Sequence, residues 1–160
     1  MSRSAERFNA LSEEEAIAEL LACCASRRWA RRMAAARPLA DREAALRMAD
    51  AIWRALSPQD WLEAFAGHAR IGERASGTAG EEQAGTRSAS RQTLESLARA
   101  NRDYEERFGH IFIVCATGKS AGEMLDLCRG RLHNDPEREL EVAAEEQRQI
   151  TRLRLERIFA

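Results

Sequence analysis

A polar, glycine-punctuated connection carries the residues of this chain that are best suited to acid–base chemistry. His68 lies near its start, and Glu82 and Gln83 lie near its end. Histidine is the side chain that gains and loses a proton most easily near neutral pH, and a neighbouring carboxylate can orient its ring and raise its pKa. A titratable pair on a loop held by rigid helices is a common form of active site. The alternative is a solvated loop, and this stretch by itself leaves both interpretations open.

The last predicted helix carries an apolar stripe that includes one arginine. The stripe follows i+3 and i+4 spacing and comprises Leu140, Ala143, Ala144, Gln147, Ile150, Leu153, Arg154 and Ile158. Arg154 comes four residues after Ile150 and four before Ile158, so we expect its guanidinium to face inward. Because an unpaired buried charge is very costly, that guanidinium needs a partner, either a carboxylate of this chain or an anionic ligand.

Two other patterns fall short of a binding motif. The run ATGKS at 116–120 matches the end of a phosphate-binding loop, but that motif requires a glycine five residues before Gly118, where this chain has Ile113. Lys119 and Ser120 are expected instead to begin a helix. The three histidines and four cysteines show none of the usual metal-ligand spacings, so we predict no metal site.

Length and composition indicate one globular domain. The 160 residues are enough to bury a core, and the net charge of −1 gives no field that attracts nucleic acid. No apolar run approaches the roughly 20 residues that span a bilayer, and the N-terminal residues lack the apolar core of a signal peptide. We therefore predict a single domain over residues 1–160, located in the cytoplasm, with no nucleic-acid or membrane partner.

Helical signals run through most of the chain and surround the His68–Glu82 connection. Typical helix starts occur at Ser12, Asp41, Ser57-Pro58, Ser120 and Asp135-Pro136. A long helix is predicted at about 88–107 and a final one up to about 158. The apolar, β-prone run at 112–116 suffices for one extended segment but not for a sheet. The sequence predicts an all-α fold, a single-domain multi-helix bundle with one short extended segment near 112–116.

A set of short motifs extends in order over nearly the whole chain. The motifs are Cys24-Ala25-Ser26, Trp29, Met33, Arg37-Pro38, His68, Ile71-Gly72, Glu82-Gln83-Ala84-Gly85, Asn101, Tyr104, Phe108-Gly109, Phe112-Ile113-Val114-Cys115-Ala116, Arg131-Leu132, Asn134, Glu139, Ile150 and Leu153-Arg154-Leu155. Together they resemble the 2-oxo-4-hydroxy-4-carboxy-5-ureidoimidazoline (OHCU) decarboxylases of purine and urate breakdown. No single motif is diagnostic, but the whole set is specific.

The resemblance implies an all-helical domain, often dimeric, that converts OHCU to S-allantoin without a cofactor. It implies that His68 is the catalytic histidine and that Glu82 is the carboxylate working beside it. It also implies that Gln83 is a substrate-binding amide, that Arg154 binds an anionic group, and that the backbone of 112–116 faces the substrate. On this basis we expect a carboxy-lyase that acts as a homodimer on one small-molecule partner, OHCU.

Two positions next to these residues depart from the family's pattern. Ala69 stands where the family usually has proline, which loosens the backbone of the histidine. Ala79 stands where the family usually has serine, which removes one substrate hydrogen bond unless Thr78 or Ser76 replaces it. We retain both as substrate-binding positions. The departures motivate a second hypothesis, a catalytically weakened ligand-binding domain of the same fold. A third is a helical interaction module in which the connection is merely surface.

The implied reaction explains why such residues suffice. Decarboxylation leaves an electron pair on a ring carbon, and the adjacent C=N of the substrate can take up the charge, so no pyridoxal, thiamine or metal is required. The protein must then move a proton and stabilise charge, which we assign to His68, to Arg154 and to the N–H groups of 112–116. We expect His68, Glu82 and Arg154 to converge on one small cavity.

Overall fold

A computed structural model of the chain describes residues 1–72, 77–87 and 89–160, with the backbone alone for 77–79. These residues form α-helices and no strand, which confirms the all-α class. The helices are α1 (Arg3–Asn9), α2 (Glu13–Cys23), α3 (Arg27–Ala35), α4 (Arg42–Arg54), α5 (Pro58–Phe65), α6 (Gly77–Glu82), α7 (Arg91–Phe108), α8 (Ala121–Arg131) and α9 (Pro136–Ile158), with a 3₁₀ turn at Ala84–Thr86. None of these helices is both long and apolar enough to cross a membrane.

The helix starts follow local capping chemistry. Ser12 and Ser120 each begin a capping box, in which the serine oxygen and a glutamate three residues later satisfy two backbone N–H groups. Asp41 and Ser57 cap α4 and α5 as predicted. The long helix α7 begins a little later than predicted, because the cap is Ser90. Single side chains therefore set these boundaries.

The described residues divide into two compact units. The first comprises residues 1–67 and 147–160, and the second comprises residues 68–146. In the first unit, α3 packs against α2, α4 and α5. Trp29 is fully buried there, and its Nε1 donates to the carbonyl of Ala49 at 3.2 Å. The single domain predicted over 1–160 stays a prediction.

The second unit contains most of the residues that the sequence singled out. Its core lies between α7 and α8 and includes Leu97, Tyr104, Met124 and Cys128. Phe112, Val114 and Ala116 belong to the same core, although residues 112–116 form neither helix nor strand. The short apolar run is thus a buried non-helical segment.

Candidate active site

The connection that carries His68 begins directly after α5 and is anchored at Ile71 and Gly72. His68 is half-buried and Ala69 is exposed, whereas Ile71 is buried in the core of the second unit. Asn101 Nδ2 donates to the Ile71 carbonyl at 2.8 Å. Gly72 has a φ of 89°, a left-handed conformation that glycine adopts at little cost. The backbone after His68 is therefore held by a buried amide of α7.

Glu82 and Gln83 lie together at the end of α6. Glu82 is half-buried, and Gln83 is only 7% exposed. The Gln83 Oε1 accepts a hydrogen bond from the Gly72 N–H at 3.1 Å, which ties the two ends of the polar connection to each other. The structure thus joins the backbone that follows His68 to the turn that bears Glu82.

The alternatives around Ala79 lie outside the described part of the molecule. Ala79 falls within α6, but its side chain and that of Thr78 are not among the described atoms, and Ser76 lies outside the described residues. The expected loss of one substrate hydrogen bond at Ala79 therefore stays a prediction, as does its replacement by a neighbour.

The turn after Gln83 packs directly on the backbone that follows the buried segment. A Cβ added to Gly85 would lie 1.9 Å from the Lys119 carbonyl oxygen and 2.9 Å from its carbon, so only glycine fits there without a shift. Burial raises the pKa of the Cys115 thiol, Lys119 opposes this rise, and the carboxylates of Glu146 and Glu82 add to it. The turn that follows Glu82 therefore lies against the backbone that follows residues 112–116.

Residues 112–116 are buried, with exposed fractions of 2–6%, and charged side chains hold their backbone. Arg131 Nη1 donates to the Ile113 carbonyl at 2.7 Å. The Cys115 N–H donates to Glu146 Oε1 at 3.2 Å, and Lys119 Nζ donates to the Cys115 carbonyl at 2.7 Å. The Cys115 N–H, one of the groups predicted to stabilise negative charge on the substrate, is thus engaged by a carboxylate of the chain.

A buried polar network lies behind this segment. Glu139 is 0% exposed, and its Oε1 accepts from Tyr104 Oη and from Arg131 Nε, both at 2.6 Å. Its Oε2 accepts from Asn134 Nδ2 at 3.0 Å. Burial raises the pKa of Tyr104, so the phenol stays a donor. Several motif residues of the chain thus serve to hold Arg131, which in turn holds Ile113.

The predicted stripe of α9 is buried in part: Ala143, Ala144, Gln147 and Ile150 are buried, whereas Leu140, Leu153, Arg154 and Ile158 are half-buried. The side chains of Glu139, Ala143, Gln147, Thr151 and Leu155 are buried, each four residues after the previous one. Arg154, which we expected inside the stripe, lies beside this row and is half-buried. Glu139 and Thr151 are buried polar members of this row that the predicted stripe did not include. An acid four residues before Ala143 was the available signal for Glu139.

Arg154 has a kind of partner that the sequence did not suggest. Its Nη1 lies 3.5 Å from the Ala22 carbonyl oxygen and 3.4 Å from that of Cys23, at the C-terminal end of α2. A cation is favourable there because the helix dipole places partial negative charge at that end. The predicted partner, a carboxylate of this chain or an anionic ligand, stays a prediction. Convergence of Arg154 with His68 and Glu82 stays a prediction.

Comparison with known proteins identifies the family. A family model described as OHCU decarboxylase matches residues 9–156. This chain belongs to that family. The matched range contains His68, Glu82, Gln83 and Arg154. It also contains the segment 112–116 and the charged side chains that hold it.

Two curated relatives of the decarboxylase family are similar in sequence. The uric acid degradation bifunctional protein TTL of Arabidopsis thaliana is 38% identical over 148 residues, which cover 86% of this chain and 45% of that protein. The 2-oxo-4-hydroxy-4-carboxy-5-ureidoimidazoline decarboxylase of Amia calva is 40% identical over 63 residues, 39% of this chain and 36% of that protein. The chain thus spans less than half the length of each curated relative.

Solved structures share the fold of this OHCU decarboxylase family member. A crystal structure of OHCU decarboxylase in the presence of (S)-allantoin superposes with a TM-score of 0.82 at 38% identity, covering 88% of this chain and 96% of that one. A crystal structure of (S)-allantoin synthase has a TM-score of 0.74 at 19% identity, covering 97% of this chain and 54% of that one. The second likeness concerns the fold alone.

Proposed function

We propose that this chain is a carboxy-lyase that converts OHCU to S-allantoin in urate breakdown without a cofactor. Family membership over residues 9–156 supports the reaction class. The structural observation that carries the proposal is the 3.1 Å hydrogen bond from the Gly72 N–H to Gln83 Oε1. This hydrogen bond joins the backbone shortly after His68 to Gln83, the residue after Glu82. The imidazole and the carboxylate therefore lie on two segments that are bonded to each other.

The reaction needs one bond broken and one proton returned. The bond between the ring carbon and the carboxylate breaks, carbon dioxide leaves, and the electron pair moves toward the adjacent C=N of the ring. We assign to His68 the proton transfer at the ring hydroxyl or at the product carbon, and delivery from one face sets the S configuration. Glu82 orients the imidazole and favours its protonated form.

The remaining proposed contacts are those that bind the substrate. Because Gln83 Oε1 is held by Gly72, we assign the amide N–H group of Gln83 to the substrate. Arg154 is assigned a forked contact to a ring carbonyl or an anionic centre. Backbone groups of 112–116 line the site, and Ala69 and Ala79 contribute surface without a side-chain hydrogen bond.

A single-turnover assay with freshly generated OHCU tests the assignment, with the circular dichroism of allantoin as the signal. His68→Ala and Glu82→Gln should each lower the rate by about 10² to 10⁴, the range expected for removal of a general acid–base. The matched controls are His133→Ala and Glu106→Gln, both at exposed positions, which should keep the wild-type rate. Full activity in either site variant would refute the mechanism. Binding of S-allantoin without turnover of OHCU would favour the weakened binding domain.

We also propose that the protein is a cytoplasmic homodimer. The dimer rests on the resemblance to the family, and sedimentation of the purified chain tests it. The location is supported by Cys24, Cys115 and Cys128, which are buried and not in disulfides. Thiols that stay reduced are typical of proteins in a reducing compartment.

A further inference from the structure

Both polar backbone groups of Cys115 are held by charged side chains. Its N–H donates to Glu146 Oε1 at 3.2 Å, and its carbonyl accepts from Lys119 Nζ at 2.7 Å. Residues 112–116 belong to no helix or strand, so no regular ladder of hydrogen bonds holds their backbone. Hydrogen bonds in which one partner is ionised are about twice as strong as neutral ones. Two charged side chains thus supply the hydrogen bonds that a neighbouring strand would supply in a sheet.

Lys119 also contacts the turn that bears the proposed catalytic carboxylate. Its carbonyl lies where a Cβ of Gly85 would be, so the two backbones are in direct contact. Its own N–H donates to the Ala116 carbonyl at 3.0 Å, which closes the turn between the segment and α8. One residue therefore touches Gly85 with its backbone and Cys115 with its ammonium. This links the turn after Glu82 to the buried segment.

The second charge comes from α9. Glu146 is half-buried, whereas Glu139 is fully buried and bonded to other side chains of the second unit. Lys119 is half-buried as well. The carboxylate of Glu146 accepts from the Cys115 N–H, and the ammonium of Lys119 donates to the Cys115 carbonyl. Two hydrogen bonds of opposite charge therefore orient the backbone of this one residue.

We propose that Lys119 and Glu146 are positioning residues of the decarboxylase, which hold Cys115 so that the neighbouring backbone of 112–116 meets the reacting substrate. This inference rests on the proposed function. Neither side chain is assigned a contact with OHCU; both act through the backbone of the segment. Misplacement of catalytic groups by about 1 Å can cost about 10² in rate, so a loss of either hold should be visible in turnover.

The experiment compares variants that remove each hydrogen bond with variants that keep it. Lys119→Met and Glu146→Ala remove the donor and the acceptor, whereas Lys119→Arg and Glu146→Gln retain them. Arg129→Met and Glu141→Ala are the matched controls, since both positions are exposed. For each protein, kcat and KM for OHCU, the melting temperature, and amide hydrogen exchange of a peptide covering 112–116 are measured.

We expect Lys119→Met and Glu146→Ala to lower kcat about ten-fold or more, with KM within about three-fold of wild type. Exchange in 112–116 should rise in both, and the melting temperature should fall by several degrees, so kcat is measured well below it. Lys119→Arg and Glu146→Gln should recover most of kcat, and the two control variants should match the wild type. If the two residues only stabilised the fold, kcat would follow the melting temperature. Recovery of kcat that does not follow the melting temperature therefore indicates a positioning role.

Two results would overturn the inference, and they are distinguishable from failure of the proposed function. One is full kcat in Lys119→Met and Glu146→Ala, in an assay where the wild type is active and His68→Ala is not. The other is a loss of kcat that follows the melting temperature in all four variants alike. If the wild-type chain forms no allantoin, the proposed function itself has failed and the inference falls with it.

Discussion

Residues 67–72, the first part of the polar connection, and the segment 112–116 both lack helix and strand, yet their backbones are held in different ways. In residues 67–72, Gly67, Ala69 and Gly72 are exposed, and the described hydrogen bonds between this backbone and side chains involve two neutral amides, Asn101 and Gln83. The charged side chain of Arg70 is paired with Glu105 instead. In the segment every residue is buried, and the described contacts are made by an arginine, a lysine and a glutamate.

This difference suits the two proposed tasks. A backbone that presents fixed dipoles to a reacting molecule works best when it is preorganised, and charge-assisted hydrogen bonds supply that rigidity. A side chain that moves a proton must adjust to its partner, and exposed backbone with few buried contacts opens more easily. We infer that the segment is the stiff part of the site and that the connection is the adaptable part.

Breaking the network behind the segment should have the largest effect on stability. Glu139→Ala leaves Arg131 buried without its carboxylate partner, and loss of one member of a buried pair typically costs about 3–5 kcal/mol of unfolding free energy. Urea denaturation measures this cost. Glu141→Ala, on the exposed face of the same helix, should change it by less than about 0.5 kcal/mol. Similar midpoints for the two variants would mean that the network does not hold the segment.

Loosening the connection should cost less and act locally. Asn101→Leu removes the donor to the Ile71 carbonyl, which should lower the unfolding free energy by about 1–2 kcal/mol and speed trypsin cleavage after the exposed Arg70. Limited proteolysis with mass spectrometry measures the cleavage. Asn9→Leu is the control, because Asn9 likewise donates to a backbone carbonyl, that of Leu39 at 2.8 Å. Equal cleavage after Arg70 in both variants would argue that Asn101 does not anchor the connection.

Alkaline pH should have an effect of similar size to the loss of the Asn101 hydrogen bond, acting on the core that contains Phe112, Val114 and Ala116. Burial raises the pKa of the Cys128 thiol in that core from 9.0 to about 11. The unfolded chain therefore ionises first, so the thiol's contribution to stability is fully present below about pH 9 and is lost as the pH rises toward 11. The loss should be about 2 kcal/mol at pH 11.

The measurement is the melting temperature of the wild type and of Cys128→Val between pH 8 and 11. Valine cannot ionise, so the variant should lose less stability over this range than the wild type does. Parallel curves for the two proteins would show that Cys128 does not contribute to the alkaline loss.

The sequence predicted what depends on local chemistry. Ser12, Asp41, Ser57 and Ser120 begin helices because each side chain caps backbone groups within three residues of itself. The all-α class followed from such starts together with helical spacing. The same local reasoning identified 112–116 as a short non-helical apolar segment.

Contacts between distant residues were beyond that reasoning. The buried side chains of α9 include four members of the predicted stripe but also Glu139, Thr151 and Leu155. Periodicity therefore gave the buried face of α9 only approximately, and Arg154 is half-buried. Lys119 was interpreted as the start of a helix, because nothing local indicates that its ammonium returns to Cys115. The partner of Glu146, Cys115, is 31 residues away in sequence, and a contact at that separation cannot be predicted from local patterns.

Lys119 is also the one lysine of the chain, and this offers a practical handle. An amine-selective acylating reagent has a single side-chain target here, which lies between the turn of Gly85 and the carbonyl of Cys115. A fluorescent group attached to Lys119 would report conformational changes around Gly85 and Cys115. Acylation also removes the positive charge, so a titration of residual turnover against the labelled fraction would need no mutagenesis.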